Sequence, residues 1–434
     1  MASVKTRSSR LLVENILANY AYVVLMGVVT LVATPLYVHR LGASQWGVVA
    51  LCMTFQGMLL ILDAGLGQIM PREIARAARS GSAVPAYFAS LKIYGSIALA
   101  AFLTGQLLAG YLGVQLSRGD TALQPELILA LRLVLLQFLF QFPNNAAIAY
   151  WNGSEQQRLA NVRQAFFTFG KHACSVLLVT CWQQNAIAYM IPFALLGAVE
   201  FFANLRRIGV GAPTSPDAHR PGLSVGGLIA SAGGFSVAVV IGMLTSQIDR
   251  LYLSRVVSAE LFGKYVLAAN LGLTLMHLQG PVQRAFLPRI VSLEHPSRRV
   301  ILQMLGLFAL VCLLPCILLA GVAEPLLNFW LKNADFARVG APVFQLIAVA
   351  VGINGLYGGI YILLIRDNQY KHLIALNAII LLAQFVSLNL LADQFSILAG
   401  GFSRLLGSCI QLIFGFVVLT KLYLSNDVKC VGRI

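Results

Sequence analysis

Five polar side chains lie along one apolar segment at spacings of 3, 4, 3 and 4 residues: Asn161, Gln164, Thr168, Lys171 and Ser175. That spacing places all five on one face of a helix, whereas apolar residues such as Phe166 and Leu177 occupy the opposite face. A helix with one polar stripe and one apolar face is typical of the lining of a water-filled cavity. Two other interpretations stay open: the Lys171 ammonium could snorkel to an interface, or the stripe could hydrogen-bond a neighbouring helix.

Shorter polar lines occur in four further apolar segments: Arg132, Gln137, Gln141 and Asn144; Lys264, Asn270, Thr274 and His277; Asn354, Tyr357 and Tyr361; and Arg404, Ser408 and Gln411. A charge in the middle of a membrane costs about 3 kcal/mol, so such residues should face water or a partner. The cations of these lines outnumber the nearby carboxylates, of which Asp63 and Asp249 lie at segment ends and Glu14 and Glu200 near one interface. The excess predicts an anionic cargo rather than internal ion pairs.

The composition identifies the solvent of these segments as a lipid bilayer. The chain is 58% hydrophobic and 11% charged, and its mean hydropathy is +0.79. Soluble domains are about a quarter charged, so this chain has too little polar surface to fold in water. The net charge of +15 does not indicate nucleic-acid binding, because the basic residues cluster in the short gaps between apolar runs.

Twelve apolar runs are long enough to cross about 30 Å of hydrocarbon as helices. They fall at roughly 16–38, 46–68, 87–112, 126–150, 160–182, 185–205, 224–248, 260–282, 300–322, 341–365, 370–391 and 396–420. Strands of a membrane barrel would be half as long and would alternate in polarity. The sequence therefore predicts an all-α polytopic membrane protein.

The basic residues predict the orientation of the chain in the membrane. With the N-terminus inside, 21 of the 31 Lys and Arg residues fall on the cytoplasmic side and 6 on the opposite side. Because positive charge accumulates in cytoplasmic loops, both termini are expected there. The first apolar run lacks a small-residue cleavage site and is expected to be retained as a membrane helix.

A repeated stretch indicates that the chain is a duplicated half. LYVHRLGASQWG begins at Leu36, and LYLSRVVSAELFG begins at Leu251; two shorter echoes follow in the same order. The offset is close to half of 434 residues, and six helices per half make the two copies parallel repeats. We predict an N-terminal lobe over 1–211, a cytoplasmic linker over 212–223 and a C-terminal lobe over 224–434.

No motif for catalysis or for cofactor binding stands out in the sequence. The chain has no Gly-rich phosphate loop, HExxH or GxSxG motif. Six of the seven cysteines lie within apolar runs, where they act as small hydrophobic residues. We therefore predict no catalytic residue, no cofactor and no metal site.

Several stretches together resemble a known family. These are SRLLVENILANY near the N-terminus, VHRLGASQWG, ILDAGLGQIMPREIARA, QIDRLYLSR and GKYVLAANL. The chain resembles the Wzx/RfbX-type polysaccharide flippases of the multidrug/oligosaccharidyl-lipid/polysaccharide (MOP) exporter superfamily, which includes the MATE transporters. The likeness covers the whole chain in layout, and residues 8–80 and 245–290 in motif.

The resemblance implies two six-helix lobes around a central cavity and a bacterial inner-membrane location. It implies that the cargo is an undecaprenyl-diphosphate-linked oligosaccharide, moved to the periplasmic leaflet for O-antigen, capsule or exopolysaccharide assembly. The partners would be membrane lipid, a polysaccharide polymerase and a chain-length regulator. The candidates for ion coupling or gating are Asp63, Asp249, Arg40 and Arg72. Val257 departs from the pattern, because the first copy has Gly42 at that position.

The predicted cargo site combines cations, amides and aromatic rings. Lys171 and Arg404, with Arg132 and Lys264, would attract the diphosphate. Amides would contact the sugars: Asn161, Gln164, Gln141 and Asn270. Tyr357 and Tyr361 could stack on sugar rings. Two other classes stay open: a cation or drug antiporter of the same superfamily, which should carry embedded carboxylates, and a membrane glycosyltransferase or polymerase, which needs a sizeable outer loop.

Overall fold

The structure, a computed structural model, describes residues 2–79, 81–117, 120–210, 225–280, 282–283, 286, 290, 297–366 and 370–421. Its long elements are helices: α1 (Ala2–Leu59), α2 (Leu66–Arg79), α3 (Ala83–Ser117), α4 (Gln124–Gly153), α5 (Gln157–Cys181), α6 (Ala186–Gly209), α7 (Val225–Val256), α8 (Ala259–Thr274), α9 (Arg298–Phe308), α10 (Leu314–Gly321), α11 (Ala323–Leu331), α12 (Ala334–Arg366), α13 (Tyr370–Phe395) and α14 (Leu398–Leu419). Where the structure describes them, the twelve predicted runs lie on these helices or on the short helical segments and turns that connect them; the first two share α1, and the second continues into α2.

The helices carry large apolar side chains on their outer surfaces. Leu107, Phe166 and Leu390 are 85%, 72% and 69% exposed, as expected where lipid is the solvent. Within the described residues, nine helices are long and apolar enough to cross a membrane. The protein is therefore a multi-pass membrane protein of the all-α class. Helix α5 is not among the nine, because Lys171 and His172 interrupt its apolar sequence.

The chain divides into two compact units, Met1–Val239 and Val240–Ile434. In the first unit α4 is the central helix, in contact with α1, α2, α3, α5 and α6. Glycines allow α3 to approach α4 closely: a Cβ on Gly105 would lie 2.4 Å from Leu135 Cδ2, and one on Gly113 would lie 2.2 Å from Ile128 Cγ1. Small residues serve this purpose at helix contacts in membranes.

In the second unit the central helix is α12, which contacts α8, α10, α11 and α14. In its apolar stretch 67% of the residues are buried, a larger share than in any other candidate membrane span among the described residues. Helices α4 and α12 each contain the fourth predicted run of their half. The same run therefore forms the central helix in both units. The predicted linker, 212–223, lies outside the described residues, and its boundaries stay a prediction.

The repeated stretch forms a corner in both units, by different means. In the first copy Gly42 breaks α1 with φ 72° and ψ 174°, a left-handed φ that favours glycine. In the second copy α7 ends at Val256, and Ser258 caps α8 in an extended conformation, its hydroxyl accepting the Leu261 N–H at 3.4 Å. Val257 is buried at 6% exposure. Replacement of Gly42 by Val257 is therefore accommodated by a capped break between two helices.

Candidate functional site

A cavity of about 380 Å³ lies within the first unit, among α1, α4, α5 and α6. Its polar lining includes the side chains of Gln56, Gln137, Gln141, Asn145, Lys171 and His172. Phe142 and Phe193 contribute apolar wall. The residues of the polar stripe predicted on α5 have different surroundings. Thr168 and Lys171 border the cavity, whereas the Ser175 hydroxyl donates to the Tyr189 carbonyl of α6 at 3.1 Å.

Lys171 is buried at the cavity wall, where its ammonium group forms an ion pair. Its side chain is 5% exposed, and its Nζ lies 2.6 Å from Oε2 of Glu200, whose side chain is 7% exposed. The other carboxylate oxygen accepts from Asn144 Nδ2 at 3.0 Å. Charge-assisted bonds of this kind offset the high cost of burying both ions.

The polar contacts continue from this pair across three helices. Asn204 Nδ2 donates to Asn144 Oδ1 at 2.6 Å, and Arg163 Nε donates to Asn204 Oδ1 at 2.6 Å. The Arg163 guanidinium also lies 5.6 Å from the centre of the Trp151 ring, within the range of a cation–π contact. Helices α4, α5 and α6 are thus joined by one chain of polar contacts from Lys171 to Arg163.

A second cavity of about 220 Å³ lies within the second unit, among α7, α8, α12, α13 and α14. Its polar lining includes six side chains: Asn354, Asn377, Gln384, Arg404, Ser408 and Gln411. The polar line predicted on the last apolar run therefore borders a cavity, since Arg404, Ser408 and Gln411 all contribute to it.

Arg404 is held by two hydrogen bonds to one carboxylate. Its Nε and Nη2 lie 2.8 Å from the two oxygens of Asp249, and Nη2 also donates to the Ser246 carbonyl at 2.6 Å. The Tyr265 hydroxyl donates to the same carboxylate. Arg250 lies next to this group and donates to Asn270 Oδ1 at 2.6 Å. Two arginines and one aspartate leave the cluster with one net positive charge.

The prediction that the membrane cations lack carboxylate partners is wrong for three of the four. Lys171 pairs with Glu200, Arg404 with Asp249, and Lys264 with two carboxylates, Glu260 and Asp335. Each partner lies on a different helix from its cation or one turn away, so the pairing depends on how the helices pack. An excess of cations in the sequence did not imply unpaired cations.

The remaining predicted binding residues lie outside the linings of these two cavities. Lys264 is 5% exposed, and its Nζ lies 2.5 Å from Asp335 and 3.0 Å from Glu260. Arg132 is exposed on α4, and Asn161 and Gln164 are half-buried on α5. Tyr357 lies in an apolar cluster with Ile360 and Leu376; Tyr361 is 38% exposed, with its ring 6.3 Å from that of Tyr357. Their part in binding stays a prediction.

The coupling candidates lie at different kinds of position. Asp63 lies between α1 and α2. Its Oδ2 accepts the Gly67 N–H at 3.0 Å at the start of α2. The Tyr94 hydroxyl donates to Oδ1 at 3.3 Å. Arg40 and Arg72 are exposed, on α1 and α2. These contacts give Asp63 a part in positioning α2, and its coupling role stays a prediction.

Three polar residues in or beside the cavity walls are missing from the sequence-based site. Glu200, expected near an interface, pairs with Lys171, and Asn377 and Gln384 border the second cavity. A signal did exist for α13, because Asn377 and Gln384 are seven residues apart and share one helix face. Glu200 and Asn204 are four residues apart on α6 and face the same neighbours.

Comparison with known proteins agrees with this architecture. A family model described as polysaccharide biosynthesis protein matches residues 12–294, about two thirds of the chain. No curated protein matches the sequence. Among solved structures, the chain is similar to the lipid II flippase MurJ, with TM-score 0.68, 12% identity and coverage of 92% of this chain and 87% of that one.

Two other solved structures show the same fold. One is a multidrug resistance MATE family transporter of the MOP superfamily in an inward-facing conformation, with TM-score 0.69, 13% identity and coverage of 91% and 95% of the two chains. The other is a MOP superfamily transporter from Pyrococcus furiosus, with TM-score 0.64, 14% identity and coverage of 94% and 95%. The chain belongs to the polysaccharide biosynthesis protein family and has the fold of the MOP superfamily transporters.

Proposed function

We propose that the protein is a flippase that moves lipid-linked oligosaccharides from the cytoplasmic to the periplasmic leaflet of a bacterial inner membrane. The cargo is an oligosaccharide on undecaprenyl diphosphate, and the products serve the assembly of a surface polysaccharide such as O-antigen, capsule or exopolysaccharide. Family membership supports the polysaccharide role. The observation that carries the proposal is the presence, in each unit, of a polar cavity with a cation in its wall.

A saccharide needs such a surface in order to cross a membrane. Each hydroxyl that loses water without a new hydrogen bond costs several kcal/mol in an apolar environment. The amides that border the two cavities supply donors and acceptors in place of water. A cation or drug antiporter is less well supported, because Lys171 and Arg404 border the cavities, whereas their carboxylate partners are absent from both linings within the described residues.

The ion pairs affect how strongly the cations would bind a diphosphate. The Lys171 ammonium has three N–H donors, so a phosphate oxygen can bind it while Glu200 keeps one donor occupied. Glu200 then lowers the net attraction for an anion and keeps the resting wall neutral. Binding is reversible under this arrangement, as release into the opposite leaflet requires.

The membrane potential can supply part of the driving force. It is worth about 2.3 kcal/mol per charge for each 100 mV, and an inside-negative potential favours the outward movement of an anion. Alternating access of the units would carry the headgroup, while the lipid tail stays in the bilayer. A polymerase and a chain-length regulator would act on the translocated product.

The experiment is complementation in a strain that lacks this gene, with surface polysaccharide as the readout. Lys171→Ala and Arg404→Ala are expected to reduce the polymer strongly at normal protein levels. The matched control is Arg76→Ala, which removes an exposed cation of α2 whose side chain is 73% exposed. Undiminished polymer in both cavity variants would refute the role of these cations.

A further inference from the structure

The cavity of the second unit is lined by amides without a carboxylate among the described residues. Asn354, Asn377, Gln384 and Gln411 border it, together with the hydroxyl groups of Thr245 and Ser408. Amides and hydroxyls both donate and accept hydrogen bonds. The lining therefore suits a ligand that is rich in hydroxyl groups.

Gln384 supplies the observation that points to a ligand. The residue is 5% exposed, and its Oε1 has no hydrogen-bond partner in the part of the chain that the structure describes. A buried acceptor without a partner is costly, so such groups are rare in native proteins. Gln384 borders the cavity, and a half-turn of its amide exchanges the oxygen and the nitrogen, so that a ligand hydroxyl or N–H in the cavity can satisfy the oxygen.

The neighbours of Gln384 keep its amide at the cavity wall. A Cβ on Gly407 would lie 2.7 Å from Gln384 Nε2, so glycine at this position leaves room for the amide. The Ser403 hydroxyl donates to the Gln384 carbonyl at 3.2 Å. On the other side Asn354 is held by Gln279 at 3.1 Å and donates to Gln411 Oε1 at 2.6 Å. The polar groups are thus held in place before any ligand arrives.

The size and the apolar walls restrict the ligand further. A volume of about 220 Å³ is below the range of about 300–1,000 Å³ of drug-sized ligand sites. Leu273, Met276, Ile347 and Val351 form apolar wall beside the amides. A sugar ring matches this combination, because it presents C–H faces to apolar groups and hydroxyls to polar ones.

We propose that this cavity is a recognition subsite for a single sugar ring, which donates a hydroxyl or an acetamido N–H to Gln384 Oε1. Arg404 in the same wall accommodates a ring that carries an acceptor or an acidic substituent. The inference rests on the proposed function and deepens it, because it assigns the sugar to named residues of one unit. A preference for particular sugars would then reside in α12, α13 and α14.

The test measures sugar binding without lipid or translocation. Full-length protein in lipid nanodiscs is titrated with methyl glycosides of glucose, galactose and N-acetylglucosamine, and binding is followed by saturation-transfer NMR. At least one glycoside should bind, and Gln384→Met should weaken that binding about 3- to 10-fold, the effect of one hydrogen bond. The control Gln345→Met lies on α12 outside the cavity, where its amide donates to the Ala320 carbonyl at 3.1 Å, and should bind as the wild type does.

A second variant keeps the test decisive if Gln384→Met does not fold. Gly407→Ala displaces the Gln384 amide while leaving its chemistry intact, and it should also weaken binding. Equal binding by the wild type, Gln384→Met and Gly407→Ala would overturn the inference, as would an absence of binding by all three glycosides. Failure of flipping with intact, Gln384-dependent glycoside binding would count against the proposed function and leave the subsite standing.

Discussion

The buried pair between Lys171 and Glu200 allows the structural and the functional role of a membrane cation to be separated. We consider Lys171→Met, Glu200→Gln and the double variant. Each single change leaves one buried charge without its partner, whereas the double change removes both charges together. The replacements are close in volume to the original side chains, so packing on α5 and α6 is largely preserved.

The magnitude follows from the geometry. At 2.6 Å and an effective dielectric constant of about 20, the attraction is about 6 kcal/mol. Desolvation of the two ions offsets most of this, so the pair as a whole contributes little. Removal of one partner leaves an uncompensated charge and should cost about 3–5 kcal/mol. The double variant should lie within about 1–2 kcal/mol of the wild type, so the two changes are strongly non-additive.

The assay is equilibrium unfolding in lipid bicelles, combined with transport in reconstituted vesicles. The double variant should recover stability and remain inactive, because it still lacks the cation for the diphosphate. The control pair is Arg76 and Glu73 on α2, also 2.6 Å apart but with an arginine side chain 73% exposed, for which the coupling should be about 0–1 kcal/mol. Additive losses at Lys171 and Glu200 would refute the reasoning about stability. A double variant with full transport would refute the functional role of Lys171.

Three further changes test the packing. Gly42→Ala should lower the free energy of unfolding by about 1–3 kcal/mol, because its φ of 72° and ψ of 174° lie in a region that is essentially restricted to glycine, whereas Gly27→Ala on the same helix, with nothing within 4 Å, should not; equal effects would contradict a strained corner. Gly105→Ala should cost about 1–3 kcal/mol by overpacking against Leu135, and the double variant with Leu135→Ala should lose less than the sum of the two single losses, which unfolding in bicelles would measure. Asp249→Asn should cost about 3–5 kcal/mol, because the Arg404 guanidinium loses its carboxylate partner; Asp249→Asn with Arg404→Met should be more stable than Asp249→Asn alone, and an equally unstable double variant would contradict this reasoning.

The helices and part of the cavity walls could be predicted from the sequence. Apolar runs long enough for a membrane have few alternatives to helices, and the described parts of the twelve runs lie on helices or on the short segments that connect them. The 3,4 spacing around Lys171 placed Thr168 and Lys171 on one face, which borders a cavity. The predicted polar line from Arg404 to Gln411 also borders a cavity. Periodicity along one helix is local information, and local information suffices for these features.

The partners of the polar residues could not be predicted in this way. Lys171 and Glu200 are 29 residues apart on separate helices, and Arg404 and Asp249 are 155 apart. Which carboxylate meets which cation depends on the packing of α5 on α6 and of α14 on α7, which no single-helix pattern encodes. Gln384 shares a helix face with Asn377, but two amides in an apolar run gain significance only from the cavity beside them.

The most direct test of the flippase assignment is reconstitution of the purified protein in vesicles that contain a polyprenyl-diphosphate-linked oligosaccharide with a fluorescent sugar. A membrane-impermeant quencher is added outside, and the protected fraction reports transfer between leaflets. We predict rapid protein-dependent transfer that Lys171→Ala and Arg404→Ala slow markedly. Vesicles that move a cationic dye but leave the lipid-linked sugar in its original leaflet would contradict the assignment.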